Sequence, residues 1–556
     1  MIIPFHKDHF KPISKTVATV MFAVAIMLCG TVSAQTKKEG GEKVDVQIIG
    51  AGYIEKVTTD SNTFNKLVEN VELQQDETKM YCDSAYLNNE TNNVEAFGNV
   101  VIIQPDGTEA ISDYLKYTGN TKMAYLSGNV SLTDGKDKLW AEEVEYDLKT
   151  KIGVYNKGGT LQSDATSLSS NTGVYNMKSK DARFTQEVYV YDPEYNIISD
   201  DMGYNTETKV VTFYGASVVT SDSSVLTTHC GTYDTKTETA HFPCRSSVKT
   251  TEQYLEADSL DYSKSSGLGY ARGNVIAIDT VQDMTLYSGK AYINEKKKTT
   301  LAVIKPVIKK MNGDDSLFIR ADTFFTAPVV PIKDDSIKII KTIGKGRKKK
   351  EVEVMIADTT KVTDTSDQRY FIGYHHVRIF SDSMQGRCDS IAYSQKDSIM
   401  RMIYDPVVWS RRSQITGDTI LLYTDSSRIK KMYVPNNAFV ASQSGPDKAG
   451  LFDQIQGKTL TGYFENNTIR EVLVKPNAEV IYYTKDDDNA YIGVNEATSA
   501  RLRVLFKDEG IDKIKLEQDV NSKLTPMEQA NLDNMKLKRF IWLEHKRPKK
   551  LSELFE

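Results

Sequence analysis

A 29-residue periodicity is the feature that most restricts the folds open to this chain. Six tyrosines follow one another at that spacing, and two further apolar columns keep the same register beside them. Fixed self-similarity of this kind indicates a repeat architecture, in which each unit contacts mainly its neighbours. The three columns are Tyr117, Tyr146, Tyr175, Tyr204, Tyr233 and Tyr262; Leu126, Tyr155, Phe184, Phe213, Phe242 and Ala271; and Leu132, Leu161, Val190, Val219, Val248 and Ala277.

Each unit has the pattern of one β-hairpin. Its first arm carries a motif such as Ala257–Tyr262, a polar turn follows, and its second arm alternates apolar and polar residues, as in Gly128–Thr133. Successive strand residues point to opposite faces, so Leu260 and Tyr262 share one face, which we expect to point inward. The fold class predicted is all-β: a β-solenoid-like stack of antiparallel hairpin repeats.

The arms are too long to be straight. Ten residues span about 33 Å, whereas a usual strand has about 5–6 residues. Glycine–asparagine pairs recur in the middle of the unit, where a bulge would bend the arm: Gly98-Asn99, Gly128-Asn129 and Gly273-Asn274. The aspartate of the motif, for example Asp113, falls on the inward parity. Because a dry stack of carboxylates is costly, we expect this column at an open edge or bend, bonded to backbone N–H groups.

The ends and one middle stretch depart from the repeat. Residues 1–34 have the basic, apolar and small-residue regions of a cleaved signal peptide, which predicts export. Regular repeats occupy 35–305, and weaker repeats occupy 369–495. Residues 306–368 form an irregular repeat with a long loop at about 327–368, which contains the basic run 345–350. Residues 496–556 are expected to form a C-terminal cap, with a short helix that begins at the capping box Thr525–Glu528 and ends near Asn534.

Four cysteines follow the predicted signal peptide. An oxidising compartment permits disulfides. Cys230 and Cys244 lie on the two arms of one hairpin, but strand alternation puts them on opposite faces. We therefore expect free, packed thiols, with a bridge between these two as the alternative.

No constellation of catalytic residues is present in the sequence. Phosphate loops, nucleophile elbows and Cys-x-x-Cys pairs are missing, and the aspartates recur in nearly every unit, as a structural ladder does. Adjacent strand residues such as His375 and His376 would point to opposite faces, so no metal site is predicted. With 70 basic and 75 acidic residues, the chain has no general attraction for nucleic acid. We therefore expect no enzyme activity and no cofactor. The basic loop is expected to be a solvated surface loop, with contact to phosphate groups as the alternative.

The units resemble the LptA/OstA-like family of lipopolysaccharide-transport proteins. The residues that carry the resemblance are Ala96–Val100, Leu126–Val130 and Ala271–Val275, together with the Ala-Asp-Ser-Leu-x-Tyr arm. The resemblance implies a twisted, open β-jellyroll, in an OstA-like part at 35–305 and a second part at 369–495. It also implies that the interior holds the acyl chains of lipid A. Its implied partners are an LptC-like inner-membrane component and an LptD-like outer-membrane component, with possible end-to-end self-association.

The function predicted is therefore that of a periplasmic lipopolysaccharide-binding transport protein, with association with the outer membrane as a further expectation. The alternative is an exported structural or adhesin-like repeat protein with a closed core, because an apolar column has the same sequence in a core and in a groove. An outer-membrane barrel would also alternate, but it would have long loops on one side. The predicted groove residues are Leu115, Tyr117, Leu126, Val130, Leu132, Tyr146, Tyr155, Leu161, Phe184, Val190, Phe213, Val219, Leu260, Tyr262, Val275 and Ala277.

Overall fold

The structure is a computed structural model. It describes residues 44–59, 63–312, 315–329, 336–343, 350–357, 368–425, 428–465, 468–488, 490–507 and 510–555. The predicted signal peptide and positions 344–349 of the basic loop lie outside these residues.

One antiparallel sheet of 46 strands contains nearly all of the described chain, which confirms the predicted all-β jellyroll. Each hairpin pairs with the next, and a bend in the middle of each unit folds the sheet into two facing walls. We call wall A the one whose turns lie at 88–92, 118–122, 147–151, 176–180, 205–209 and 234–238. Wall B has the turns at 75–78, 104–108, 133–138, 163–166 and 191–195. The turns form the free edges of the walls, opposite the bend.

The strands, β1 to β48 in chain order, have the following bounds: Gln47–Gly50, Tyr53–Thr58, Thr63–Gln75, Thr78–Asn88, Asn93–Ile103, Glu109–Thr118, Met123–Thr133, Lys138–Asp147, Ile152–Tyr155, Gly159–Ser163, Thr166–Ser170, Thr172–Asn176, Asp181–Tyr191, Tyr195–Asn205, Val210–Phe213, Ser217–Ser221, Ser224–Thr228, Gly231–Asp234, Thr239–Phe242, Ser246–Thr250, Gln253–Ala257, Ser259–Ser263, Leu268–Asp279, Met284–Asn294, Thr299–Val303, Val307–Asn312, Asp315–Arg320, Thr323–Pro328, Ser336–Ile343, Lys350–Ala357, Arg369–Tyr374, Val377–Phe380, Gln385–Cys388, Ser390–Ser394, Ile399–Ile403, Val407–Ser410, Ser413–Thr416, Thr419–Asp425, Arg428–Val434, Ala438–Ser444, Leu451–Gly457, Thr459–Glu465, Thr468–Lys475, Ala478–Lys485, Tyr491–Ser499, Arg501–Lys507, Gly510–Glu517 and Asn521–Pro526.

At the glycine–asparagine pairs the bend is a two-residue bulge in which both residues have left-handed backbone angles. In β7, Gly128 has φ 77° and Asn129 has φ 46°, and the pairing with β8 shifts register between Ser127 and Val130. The same geometry occurs at Gly98-Asn99 and at Gly273-Asn274. The predicted bend at the glycine–asparagine pairs is thus confirmed. Glycine and asparagine tolerate this region better than other residues, which accounts for their recurrence here.

The aspartate column lies at this bend, but its partners differ from the expected backbone N–H groups. The side-chain amide of Asn129 donates to Asp113 Oδ2 at 2.7 Å, and Asn274 donates to Asp258 in the same way at 2.7 Å. Asp113 is exposed, because the bulge reverses the alternation on which its inward parity was predicted. The bends at these glycine–asparagine pairs are therefore braced by an aspartate–asparagine bond on the outer surface.

His375 and His376 occupy one of these bulges, with φ 61° and 52°, so the predicted strand alternation does not apply to them. Nδ1 of His376 lies 2.7 Å from Asp322 Oδ2, and Nδ1 of His375 lies 3.2 Å from Asp389 Oδ1. The two imidazoles thus contact the aspartates of the two flanking units, in the place that Asn129 has in its own unit.

Three further expectations are wrong. Cys230 and Cys244 form a disulfide, with Cα atoms 6.1 Å apart. Both lie in irregular backbone between strands, where strand alternation does not fix the side-chain direction. The expected long loop contains a separate two-stranded hairpin, formed by β29 and β30. The alternating sequence of these two strands could have predicted it. The expected C-terminal helix is replaced by single 3-10 turns at Met527–Gln529 and Leu532–Asn534, and no side chain caps the first of them. Further 3-10 turns lie at Asp447–Ala449, Glu544–Lys546 and Leu551–Leu554.

Residues 527–555 lie along the outer face of wall B, running back toward the middle of the chain. Two buried glutamines hold their backbone. Gln414 donates to the carbonyl of Ile541 and accepts from the N–H of Leu543, and Gln454 binds Met535 and Leu537 in the same way. Farther along, Arg320 donates to the carbonyl of Leu554 at 2.9 Å. We call residues 527–555 the C-terminal strap.

Substitution of Gly128 by alanine should destabilise the protein more than the same substitution at Gly107. Both glycines have positive φ, 77° and 86°, and a left-handed alanine costs about 1–2 kcal/mol at either site. A Cβ at Gly128 would also lie 2.7 Å from Asp113 Oδ2, whereas one at Gly107 meets no atom within 4 Å. Overpacking of this kind adds about 1–3 kcal/mol.

Thermal and urea unfolding followed by circular dichroism measures the difference. In an Asp113→Gly background, the cost of Gly128→Ala should fall to that of Gly107→Ala, because the carboxylate and the Cβ of Asp113, which lies 2.9 Å from the added Cβ, are both gone. If Gly128→Ala and Gly107→Ala lowered the stability of the wild-type protein equally, close packing of Asp113 against Gly128 would be excluded.

Candidate functional site

The space between the walls is filled with apolar side chains, and over the first units it is sealed. Leu126, Leu132 and Leu161 are fully buried, and Tyr117 and Tyr146 are exposed by no more than 1%. These residues lie both near the bend and near the free edges. The interior between Leu67 and Phe213 is therefore a packed core without an opening at the edge.

Four ion pairs join the free edges of the two walls over this sealed part. In each, a lysine at the end of a wall A turn contacts an aspartate in a wall B turn that lies 45 or 46 positions earlier in the chain. Lys209 Nζ, for example, lies 2.6 Å from Asp164 Oδ2. We call them the edge ion pairs: Lys122–Asp76, Lys151–Asp106, Lys180–Asp134 and Lys209–Asp164.

Buried hydrogen bonds lie directly inside the edge ion pairs. The hydroxyl of Tyr146 in wall A donates to Gln104 Oε1 in wall B at 2.6 Å, and Gln104 Nε2 donates to the carbonyl of Leu148 at 2.8 Å. Tyr117 and Gln75 make the equivalent contact one unit earlier. Burial raises the pKa of both tyrosines, so they remain neutral donors. Such bonds satisfy the polar groups that a closed edge removes from water.

This closure ends after Lys209. The corresponding position in the next turn is Glu238, and the wall B residue 46 positions before it is Asp192, so two acids replace a cation and an acid. Glu238 pairs instead with Lys264 of the following wall A turn. Tyr262 likewise donates to Glu295 on its own wall, not across the edge. Contacts along one wall thus replace contacts between the walls.

Where the edge ion pairs end, the interior opens along the edge. Val219, Leu226, Val248, Leu255 and Leu286 point inward from the edge side and are each partly exposed. Residues of the same units near the bend remain buried, as at Phe242, Ala271 and Val275. The walls therefore stay packed at the bend and part at the edge. We call residues 219–286 the open segment.

A narrow cavity of about 60 Å³ continues the open segment between the walls. Its floor is apolar, and polar and cationic side chains lie at its edge. Arg369 donates to the carbonyl of Lys298 at 2.8 Å, and the Lys310 ammonium lies 5.6 Å from the ring centre of Tyr393. The floor is formed by Met284, Ile308, Leu317, Ile319, Phe371, Tyr393 and Met400, and the edge by Gln282, Lys310, Thr326, Arg369, Gln395 and Thr424.

All of the predicted groove residues lie between the walls, but in two different environments. Those from Leu115 to Phe213 belong to the sealed core, while Val219, Tyr262 and Ala277 are partly exposed. Leu260 and Val275 lie in the open units but on the buried bend side. Sequence reasoning missed Leu286, Lys310 and Arg369. It also missed the edge ion pairs, although Lys122, Lys151, Lys180 and Lys209 follow the 29-residue spacing.

Two other kinds of site are not formed by the described residues. No cluster of three or more histidine, cysteine, aspartate or glutamate side chains there is placed to hold a metal ion. None of the helices within these residues has the length and apolar character needed to cross a membrane.

Replacement of Lys180 by methionine should destabilise the sealed core strongly. Lys180 contacts Asp134, and its Nζ lies 3.8 Å from the carboxylate of Asp137, which is 1% exposed and accepts hydrogen bonds from Tyr175 and Thr206. Without the cation, a buried charge loses its partner, which costs about 3–5 kcal/mol. Lys157→Met is the control, because the Lys157–Glu143 pair is exposed and should contribute less than about 1 kcal/mol.

Chemical denaturation compares the two variants, and hydrogen exchange in β12 and β14 locates the change. Adding Asp137→Asn to Lys180→Met should recover much of the loss, because the unpaired charge is removed. If Lys180→Met and Lys157→Met had equal, small effects, closure of the edge by these ion pairs would be excluded.

Two family models match the chain. Residues 43–201 match the family described as OstA-like protein. Residues 254–428 match the family described as LptA/(LptD N-terminal domain) LPS transport protein. Glu238, at which the edge ion pairs have ended, falls between the two matched regions.

Among solved structures, the chain is similar to LptH from Pseudomonas aeruginosa, described as the LptA homologous periplasmic component of the lipopolysaccharide transport device. The identity is 16%, the match covers 26% of this chain and 95% of the LptH chain, and the TM-score is 0.19. No curated protein sequence matches the chain.

Proposed function

Because two segments of the chain belong to the LptA/OstA-like family of lipopolysaccharide-transport proteins, we propose that the protein binds the acyl chains of lipopolysaccharide between its walls and helps to carry this lipid to the outer membrane. The observation that supports the binding site is the open segment, where an apolar interior is accessible along the edge. The protein acts by binding alone, without enzymatic turnover and without a cofactor.

The proposed driving force is burial of the acyl chain. Each methylene group that leaves water contributes about 0.8 kcal/mol, so ten of them contribute on the order of 8 kcal/mol. Since the interior is apolar from one unit to the next, this gain changes little as a chain moves along the array. The sealed units would admit lipid only if their edge ion pairs opened, so we place the resting ligand in the open segment and the adjoining cavity.

The proposed location is the periplasm, after removal of residues 1–34. The proposed partners are an LptC-like component at the inner membrane and an LptD-like component at the outer membrane, which would pair with the terminal strands of the array. End-to-end association of copies would use the same strands. The groove residues predicted from sequence are retained as candidates, with those from Val219 onward as the preferred lining.

A structural role is the second candidate, because the sealed units have the closed core that a stalk or adhesin would need. Native mass spectrometry of the protein, extracted without detergent from its source membrane fraction, separates the two. Co-purified lipopolysaccharide supports transport. A lipid-free protein that also fails to take up added lipopolysaccharide supports the structural role.

A photoreactive amino acid at position 248 should capture lipopolysaccharide, while one at position 249 should not. Val248 and Lys249 are neighbours on β20, and the first points into the open segment while the second is exposed on the outer face. Immunoblotting with an antibody against lipopolysaccharide detects the adduct after irradiation of living cells. In the sealed units, neither Val130 nor Lys116 should give an adduct while the edge ion pairs are closed, and capture at Val130 alone would report their opening. Adducts from the outward positions alone would refute an interior path.

Glu238→Lys should reduce capture at position 248 several-fold. The new lysine stands 46 residues after Asp192, as Lys180 stands after Asp134, so it should add a fifth edge ion pair and close part of the open segment. Glu238→Gln removes the carboxylate without adding a cation and should leave capture unchanged. Glu207→Lys adds a cation at an exposed position of the preceding turn and serves as the second control. Undiminished capture in Glu238→Lys would show that the edge does not control access.

A further inference from the structure

The cavity beside the open segment combines an apolar floor with two cationic side chains at its edge. In β26, Ile308 and Lys310 have the same parity and line this cavity, while Lys309 points to the outer face, where its ammonium lies 5.9 Å from the ring centre of Phe318. An aliphatic interior alone would hold a neutral chain as well as a charged one. The position of Lys310 on an inward-facing site therefore needs its own explanation.

Arg369 is the second cation. It begins β31, and its side chain is half-buried. Burial lowers the pKa of Arg369, and the carboxylate of Asp279 opposes that effect. An arginine keeps its charge at neutral pH under such conditions, because its ordinary pKa is above 12. Its backbone N–H is held by Gln395 Oε1, another residue of the cavity edge.

The half-buried guanidinium of Arg369 and the ammonium of Lys310, at the edge of one cavity, have the chemistry of an anion-binding site. Anionic oxygens accept charge-assisted hydrogen bonds from both groups, and the planar guanidinium presents two parallel donors to a phosphate. Nearby Gln282, Gln395, Thr326 and Thr424 add neutral donors and acceptors around the same rim. The floor below can take a hydrocarbon chain but not a second charge, because an unpaired ion in an apolar site is strongly disfavoured.

We propose that Lys310 and Arg369 bind the phosphate of an anionic amphiphile whose acyl chain occupies the cavity floor. The proposal rests on the proposed function, which supplies the lipid, and adds the position and the charge of its headgroup. The cavity would then be a binding site that fixes the orientation of the ligand, with its acyl chain between the walls and its phosphate at the free edge.

Calorimetric titration of the purified full-length protein tests the assignment. The probes are dodecyl phosphate and octaethylene glycol monododecyl ether, which share one alkyl chain and differ in the charge of the head, both below their critical micelle concentrations. Inorganic phosphate is the third probe. The wild-type protein should bind dodecyl phosphate roughly tenfold more tightly than the neutral ether, as expected for charge-assisted hydrogen bonds, and should bind inorganic phosphate too weakly to measure.

Lys310→Gln should remove most of this preference while leaving the affinity for the neutral ether unchanged. Lys309→Gln is the matched control, because it removes the same charge from the outward neighbour. Arg369→Gln should act like Lys310→Gln, and Arg369→Lys should retain part of the preference, because it keeps the charge and loses the planar donor pair. Unchanged binding of the ether also reports that each variant is folded.

The outcomes separate this inference from the proposed function. Equal binding of both alkyl probes by the wild-type protein, or a preference that survives Lys310→Gln and Arg369→Gln, refutes the phosphate site and leaves an apolar lipid groove in place. Tight binding of inorganic phosphate that is independent of the alkyl chain also refutes it, because the anion would then be bound apart from the cavity. Binding of neither alkyl probe counts against both proposals.

Discussion

The bend in the middle of each unit is the constraint on which the rest of the structure depends. A strand of eleven residues such as β7 would otherwise continue as a flat ribbon with two exposed faces. Two consecutive left-handed residues turn it, so that its first and second halves face each other across one apolar layer. The aspartate–asparagine bonds on the outer surface hold this turn from outside. Where the pair is replaced by His375-His376, two aspartates of the flanking units supply the equivalent contacts. A disulfide lies between two bends at Cys230 and Cys244.

The bend closes one side of the fold in every unit, whereas the free edges on the other side meet in some units and part in others. The hydrophobic layer alone does not decide whether the free edges meet, since the same columns of leucine, valine and tyrosine line both kinds of unit. Charged and polar residues of the turns decide it. A lysine opposite an aspartate brings the edges together and buries the tyrosine hydroxyls inside, whereas Glu238 opposite Asp192 leaves the edge-side residues of the next units in contact with solvent. Single exposed ion pairs contribute little. Their repetition, with buried hydrogen bonds behind them, is what distinguishes the sealed units.

Sequence periodicity was enough to predict the hairpin unit, its inward columns and its bend, because each depends on local alternation and on the preference of glycine and asparagine for left-handed angles. The direction of Asp113 was mispredicted since a bulge shifts parity by one, which no alternation rule includes. The Cys230–Cys244 disulfide was not predicted, because both cysteines lie in irregular backbone between strands, where alternation does not apply. The apolar columns do not show which units have a closed edge. The lysines at 29-residue steps, which form the edge ion pairs, could have predicted it. Lys310 and Arg369 lie outside the regular register, and only the pairing of β26 with β27 and of β28 with β31 brings them to one rim. Docking of the C-terminal strap could not be predicted from local patterns, because its partners are up to 234 positions away in the chain.

That separation has a consequence for how the molecule acquires its structure. Most of the array is made of contacts between neighbouring units, so it can form progressively, from the first hairpin onward, as the chain becomes available. The strap is different: Leu554 can reach Arg320, and Leu543 can reach Gln414, only after every unit between them exists and lies in register. A unit out of register would displace Gln414 relative to Gln454 and leave one of the two backbone clamps empty. Docking of the strap is thus a late folding step that requires more than two hundred preceding residues to be folded in register. In a truncated or misregistered chain the strap would stay undocked and accessible to proteases.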